Sequence, residues 1–359
     1  MLRGIRRLDA DWRYAARADR RRNNGGRSSE SSNGAVMSDI SSALPSSMAP
    51  RAGAISARAW ARPEHLRKLQ LVLASIWLLD GMLQLQAFFF TRAFGNQMIP
   101  MTAAGNPSLI ASPITWSGTL IAHHAVLADS FFAVFQVAIG LGIAWRPTTR
   151  VALAASIVWS LGVWWVGEGL GGVVSGAANP VNGAPGAVMI YALLAVLLWP
   201  SDRAGRSPSF TAAQMVGERV AKALWFVLWA SLAYFAVLGE NRSSDGLSSL
   251  IGAETTGEPG WVASLDRHTA RLVDHRGLVV MVVLAVLLAI VAVGTFLPAR
   301  VANATLVAAI VLGIAIWIVG ENFGALFTNG ATDVNSGPLL VLLSISYWRR
   351  AADPAPEGV

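Results

Sequence analysis

The feature that most constrains this chain is a series of long apolar segments that contain almost no charged residues. A helix that crosses a membrane needs about 20 mostly apolar residues. Only 14% of the residues are charged, compared with about 25% in a typical soluble domain. The sequence therefore predicts an all-α, polytopic membrane protein and excludes a single soluble globule or a disordered regulator. The eight predicted transmembrane helices are 69–90, 118–145, 150–168, 186–199, 220–239, 277–297, 301–320 and 338–348.

Lysine and arginine are distributed unevenly between the two ends of these helices. An even number of spans places both termini on one side, and only five of the 28 basic residues then lie on the other side. Because positively charged loops stay in the cytoplasm, we predict a multi-pass protein of a bacterial cell membrane with cytoplasmic N- and C-termini. Tryptophans near the ends of the spans are expected to anchor the protein at the lipid interface; they are Trp116, Trp145, Trp165, Trp199, Trp225 and Trp348.

The N-terminal segment 1–64 is rich in arginine, serine, glycine and asparagine. Such a composition cannot bury enough apolar surface to offset the entropy of ordering, so we predict a disordered basic tail. The tail either contacts anionic lipid headgroups or is a solvated orientation signal. Because much of the positive charge lies in this tail, no nucleic-acid partner is expected; the expected partners are the lipid bilayer and subunits of a membrane complex. The absence of cysteine excludes disulfides and thiolate sites.

Two stretches of the chain match at an offset of 153 residues. Segment 164–171 (WWVGEGLG) resembles 317–324 (WIVGENFG), and the same offset places Asn182 on Asn335 and Pro185 on Pro338. We interpret this as a duplicated four-helix unit. Because four is an even number, both copies insert with the same orientation, as two parallel repeats. The predicted organisation is a tail (1–64), a first repeat (65–200), a cytoplasmic linker (201–217), a second repeat (218–350) and a short C-terminal tail (351–359).

Each predicted unit resembles the DoxX-like family of small four-helix membrane proteins. The resemblance is carried by the entry segment 66–69 (LRKL), by Gly81 in the first span, and by the end of the second span at 140–150 (GLGIAWRPTTR). In that family the second helix commonly carries a glutamate, where this chain has Gln136 nearby. The resemblance implies an accessory subunit of a membrane oxidoreductase assembly with a link to quinone-dependent electron transfer.

Glu168 and Glu321 are the strongest candidates for a polar site, because the similar stretches carry both of them. A charged group inside a membrane is costly and marks a functional candidate, and short, glycine-interrupted segments at matching positions point to a transporter-like site. The two carboxylates either face a shared outer vestibule, where they bind a cation or relay a proton, or they cap loop amides. In the second case Asn182 and Asn335 hold the same loops in place.

Three further polar residues lie within the first two spans. Asp80 and Gln84 are four residues apart and therefore share one face of a helix, whereas Asp129 lies in the second span. The positions of the second half that correspond to Asp80 and Gln84 are the apolar Leu232 and Ala236. We therefore predict either a site that only the first half contains or an interhelical hydrogen-bonded pair.

Histidines at the outer ends of two spans are weak candidates for a metal site, whose cofactor the sequence leaves unknown. They are His123, His124 and His275, and a metal needs three or four ligands. Met98 and Met101 would suit copper(I). No self-contained catalytic motif is present.

Three functions follow as hypotheses from these residues. The first is an accessory or partner subunit of a bacterial membrane redox or envelope complex. The second is a small-solute or cation/proton translocator that uses Glu168 and Glu321. The third is a copper-handling protein. A cavity that links Asp80 to Glu168 would favour the second, and glutamates that only cap loop amides would favour the first.

Overall fold

The computed structural model describes residues 52–201, 208–253 and 257–349, and all of their regular elements are helices. The predicted tail up to residue 51, part of the linker and the C-terminal tail lie outside these residues. The α-helices of eight or more residues are α1 (Ala52–Leu83), α2 (Ser108–His123), α3 (Ala125–Ala144), α4 (Thr149–Val166), α5 (Ala187–Leu197), α6 (Glu218–Ala236), α7 (Gly246–Ala253), α8 (Gly260–Val273), α9 (Gly277–Gly294), α10 (Ala299–Val319) and α11 (Ser336–Ser346).

Five of the segments are long and apolar enough to cross a membrane: Ala125–Ala144, Arg146–Val166, Glu218–Ala236, Gly277–Gly294 and Ala299–Val319. The prediction of an all-helical protein with several membrane-spanning segments is therefore confirmed at this level. Helices α5 and α11 have only 11 residues each, which corresponds to roughly 16 Å against a hydrocarbon core of about 30 Å. Each follows a stretch of irregular backbone, as the Gly- and Asn-rich sequences before them predict.

The first two predicted spans differ from the helices that form. Helix α1 ends at Leu83 instead of residue 90, because the chain turns there and buries Phe89 against Phe94, with ring centroids 5.0 Å apart. The predicted span 118–145 is broken at His124, where α2 ends and α3 begins. Helix α2 packs closely on the preceding segment, since a Cβ added to Gly118 would lie 2.6 Å from the Gly95 carbonyl.

The helices of the two halves pack as one body. The described residues from 54 onward form a single compact unit, and one hydrophobic core contains side chains from both halves, including Leu73, Trp77, Leu194 and Leu340. Helix α4 packs on α5, α10 packs on α11, and α5 also contacts α11. The two short helices therefore lie between the longer ones, and the loops that precede them meet in the interior.

Trp225 does not anchor the protein at the lipid interface, as its position near a span end predicted. It is fully buried, and its indole N–H donates to the Val291 carbonyl at 2.9 Å. The packing of α6 on α9 encloses it. Trp116 and Trp145 in contrast are about two-thirds exposed, which fits a position against lipid.

Candidate functional site

Glu168 and Glu321 occupy matching breaks in the backbone, directly after α4 and α10. Glu168 has φ −103° and ψ 3°, and Glu321 has φ −111° and ψ 5°. Each N–H reaches back five residues to the carbonyl of Val163 or Ile316. The chain then has positive φ at the same four positions in both halves, 169–172 and 322–325. The local sequence similarity therefore corresponds to a shared local conformation up to this point.

Beyond the breaks the two halves no longer follow the offset of 153 residues. The indole of Trp164 donates to the Pro185 carbonyl at 2.6 Å, and that of Trp317 donates to the Val334 carbonyl at 3.0 Å. Pro185 and Val334 differ by 149 residues, so the loop of the second half is four residues shorter. The ungapped alignment of Asn182 with Asn335 is thus wrong in the structure, where Gly186 and Asn335 each precede the following helix.

Glu321 is a fully hydrogen-bonded carboxyl at the start of α11. One oxygen accepts the Ser336 hydroxyl and the Ser336 N–H, and the other accepts the Gly337 N–H at 2.9 Å. The longer loop of the first half covers this carboxyl, because a Cβ on Gly183 would lie 3.0 Å from it. Burial raises the pKa of Glu321 to about 7 and outweighs the opposing effect of the hydrogen bonds.

Glu168 is in the matching position but has far fewer partners. Its one hydrogen bond comes from the Val188 N–H at 3.5 Å, and its other oxygen has no donor among the described residues. Gly186 permits this arrangement, since a side chain there would overlap that oxygen. Burial is the main cause that raises the pKa of Glu168, and the nearby charge of Asp333 adds to the effect.

A cavity of about 1090 Å³ extends from Glu168 into the first half of the molecule. Asp80, Asp333 and Tyr191 also line it, and the lining includes polar side chains from both halves of the chain. Among the described residues, those that line the cavity include no lysine, arginine or histidine. The wall of this cavity is therefore acidic without a compensating positive charge.

Asp80 and Gln84 both border this cavity and are both buried, as their shared helix face predicts. The Tyr191 hydroxyl donates to one Asp80 oxygen, whereas the other has no partner in the part of the chain that the structure describes. The Tyr191 ring packs on Trp77, with centroids 4.6 Å apart. Asp80 is thus held by Tyr191 on one side, and its other carboxyl oxygen is buried at the cavity wall near the backbone N–H of Val334.

Asp129 is fully buried in α3 and does not itself line the cavity, although Phe132 and Gln136, one and two turns further along the same helix, do. Both of its oxygens lack a hydrogen-bond partner among the described residues. The structure therefore does not bring Asp129 together with Asp80 and Glu168, although all three belong to the first half.

The asparagines have different roles from those that the sequence predicts. Asn335 accepts the Ser336 N–H at 2.8 Å and so caps α11. Asn182 borders the cavity, and the loop around it is held instead by Asn179. The Asn179 side chain accepts the Val181 N–H and donates to Asn241 at 2.9 Å. Sequence reasoning missed Asn179 because it stands outside the similar stretches.

Asp333 and Tyr191 are the other residues that the sequence did not single out. Asp333 accepts the Asn335 N–H at 2.7 Å and the Thr332 hydroxyl at 2.9 Å, and burial raises its pKa. The only feature of the sequence that could have indicated Asp333 is its position as an acidic residue shortly before a short apolar helix. Tyr191 offered the signal of a lone tyrosine in an apolar helix.

The three candidate histidines do not meet the acidic side chains of the cavity. His123 and His124 are exposed at the α2–α3 junction. His275 is exposed as well and contacts Asp245 at 2.7 Å and Asp274 at 3.7 Å.

The two candidate copper ligands, Met98 and Met101, are in different environments. Met98 lines the cavity, whereas Met101 is 73% exposed.

No protein-family model, curated protein or solved structure matches this chain.

Proposed function

We propose that this membrane protein binds a cation, or a small solute with a positively charged group, and moves it through the cavity. The observation that carries the proposal is the acidic wall formed by Asp80, Glu168 and Asp333. Isolated charges in a membrane interior are costly, so three carboxyls around one space favour a positively charged occupant. This is the translocator hypothesis with Glu168 and Asp80, and with Asp333 in place of Glu321.

Glu321 contributes to this proposal only indirectly. Its hydrogen bonds to the first residues of α11 use both of its oxygens, and the loop of the first half covers it. We assign it to the framework that holds Asp333 and Asn335 at the cavity. The proposed site therefore uses Glu168 without Glu321 and is not a symmetric pair of these two carboxylates.

Proton flux into liposomes tests the proposal directly. Purified protein is reconstituted with a pH-sensitive dye inside, and a potassium diffusion potential drives proton entry. Asp80→Asn and Glu168→Gln, alone and together, are expected to reduce the flux to the level of empty liposomes. Asp274→Asn is the matched control, because this acid is exposed and remote from the cavity lining. Flux that stays unchanged in the double variant would reject a translocator of protons.

A second proposal is a DoxX-like accessory subunit, built as two parallel four-helix repeats in a bacterial cell membrane. The full hydrogen bonding of Glu321 favours it, because a carboxyl that only caps a helix is a structural group. Such a subunit is expected to co-purify with a partner in a mild detergent. Recovery of the protein alone, at full yield and from its native membrane, would contradict this second proposal.

A further inference from the structure

The wall of the cavity is aromatic as well as acidic. Phe135 and Trp159 pack with ring centroids 4.8 Å apart, and Phe132 lies 5.5 Å from the same indole. Trp77 and Tyr191 form a second aromatic pair beside Asp80. Aromatic faces attract cations, and the attraction strengthens where water is excluded. The cavity therefore combines charge with a surface suited to an apolar body.

One side of the cavity is formed by the outer face of α4. Val151 and Val158 line the cavity and are both 73% exposed, and Gly162 follows on the same face with no atom within 4 Å of an added Cβ. This helix is among the segments able to cross a membrane. The exposed face of such a helix contacts lipid, so the cavity is open to the bilayer along this side.

The buried polar atoms that lack a partner indicate what the occupant must offer. One carboxyl oxygen of Asp80 and one of Glu168 accept no hydrogen bond among the described residues, and the same holds for the side-chain oxygens of Gln84 and Gln136. All four residues line the cavity, and Asp80, Gln84 and Gln136 are more than nine-tenths buried. A ligand with N–H donors would satisfy these acceptors, whereas a buried acceptor without a partner costs about 1–3 kcal/mol.

We propose that the cavity takes protonated lipophilic amines, which reach Asp80 and Glu168 from the bilayer through the open side of α4. The inference rests on the proposed cation-binding role of these acids and names the class of ligand. The amine group would donate to the free oxygens, while its apolar part would lie against Phe132, Phe135 and Trp159. The volume of the cavity is sufficient for a drug-sized molecule.

A series of three probes of similar shape tests the inference. They are 2-(1-naphthyl)ethylamine, its N,N,N-trimethyl derivative and 2-(1-naphthyl)ethanol, titrated by calorimetry into protein in lipid nanodiscs with empty nanodiscs subtracted. The amine is expected to bind in a saturable manner, roughly tenfold or more tightly than the alcohol, because charge-assisted hydrogen bonds are lost with the alcohol. The trimethyl derivative should fall between them, since it keeps the charge but has no N–H donor.

Two kinds of variant locate the binding. The double variant Asp80→Asn/Glu168→Gln should reduce the affinity for the amine by roughly tenfold or more and leave the affinity for the alcohol unchanged. Gly162→Leu fills open space on the α4 face and should also weaken or slow amine binding, while Gly260→Leu is the control, because its added side chain likewise meets no atom and lies on α8. The Gly162 arm keeps the inference testable if the acid variants fail to fold.

The outcomes separate this inference from the proposed function. Equal affinity for amine and alcohol, or amine binding that both kinds of variant leave unchanged, would overturn the inference. Neither result would affect the proposed function, which the proton-flux measurement tests separately. Amine binding without any proton flux would reject the proton translocator and leave the ligand class standing. Tighter binding of the trimethyl derivative than of the amine would overturn the role assigned to the N–H donors.

Discussion

Glu168 and Glu321 share the same backbone position after their helices, but only Glu321 has both carboxyl oxygens hydrogen bonded. The difference follows from the loops behind them. In the second half the shorter loop brings Ser336 and Gly337 directly to the carboxyl. In the first half the loop is four residues longer, and Glu168 receives one long bond from Val188. One acid thus became part of the framework, and the other borders the cavity.

This difference predicts unequal effects on stability. Glu321→Ala leaves the Gly337 N–H and the Ser336 hydroxyl buried without a partner, so the variant should lose about 2–3 kcal/mol. Glu168→Ala removes one weak bond and one buried charge near Asp333, so its stability should change by less than about 1 kcal/mol. Thermal unfolding in detergent, followed by tryptophan fluorescence, measures both. An equal loss in the two variants would contradict the asymmetry.

The stability of the protein should fall as the pH rises through neutrality. The pKa of Glu321, which lies just beyond the end of α10, is raised from 4.5 to about 7 by burial. The folded state therefore holds this proton more tightly than the unfolded state, so its contribution is fully present below about pH 4.5 and is lost as the pH rises through about 7. The unfolding temperature measured between pH 5 and pH 8 checks this direction.

The variant Glu321→Gln isolates this contribution. It cannot ionise, so the decline of the unfolding temperature between pH 5 and pH 8 should become shallower than in the wild type. Asp274→Asn serves as the control, because this acid is exposed. An unchanged slope in Glu321→Gln would mean that another group causes the pH dependence.

The sequence predicted the helical, membrane-type fold and the positions of most long helices, because apolar segments of spanning length have few alternatives in a membrane. Glu168, Asp80 and Gln84, which the sequence singled out, all line the cavity. The errors arose where tertiary packing decides the outcome. The span 118–145 is broken at His124, close to where α2 packs tightly on Gly95, and no apolar pattern records that contact. Trp225 looked interfacial by position but is covered by a neighbouring helix.

The register of the second loop could not be obtained by comparing the two halves without a gap. Asn182 and Asn335 align only when the offset of 153 residues is kept without a gap. In the structure the equivalent positions are Pro185 and Val334, whose carbonyls accept the tryptophan N–H groups. Asp333 was missed for the same reason, since its position at the cavity depends on the shorter loop. Local conformation was predictable from sequence here, but the meeting of distant loops was not.

Gly171 and Gly324 are expected to be indispensable for the matching breaks. Both have positive φ, at 61° and 68°, and an added Cβ would overlap the Pro185 carbonyl at Gly171 and lie 2.7 Å from the Val334 carbonyl at Gly324. Alanine at either position should cost about 1–3 kcal/mol through the strained backbone, with the close contacts adding to the loss. Gly162→Ala, in open space within α4, is the control and should be neutral or stabilising by up to about 1 kcal/mol. Unfolding temperatures compare the three, and a neutral Gly171→Ala would refute the conformation of the first break.

The absence of cysteine allows a direct test of the predicted orientation, because every introduced cysteine is then the sole reactive thiol. Ser209 lies in the predicted cytoplasmic linker and Ser249 lies in α7, between the predicted fifth and sixth spans; both are exposed. If the basic segments remain inside, a membrane-impermeant maleimide should label Ser249→Cys in intact cells and Ser209→Cys only after the membrane is opened. Because Ser209 precedes α6 and Ser249 follows it, labelling of both from outside would mean that α6 does not cross the membrane. Labelling of Ser209→Cys alone would invert the orientation but keep the span, and would place the acidic breaks on the cytoplasmic side.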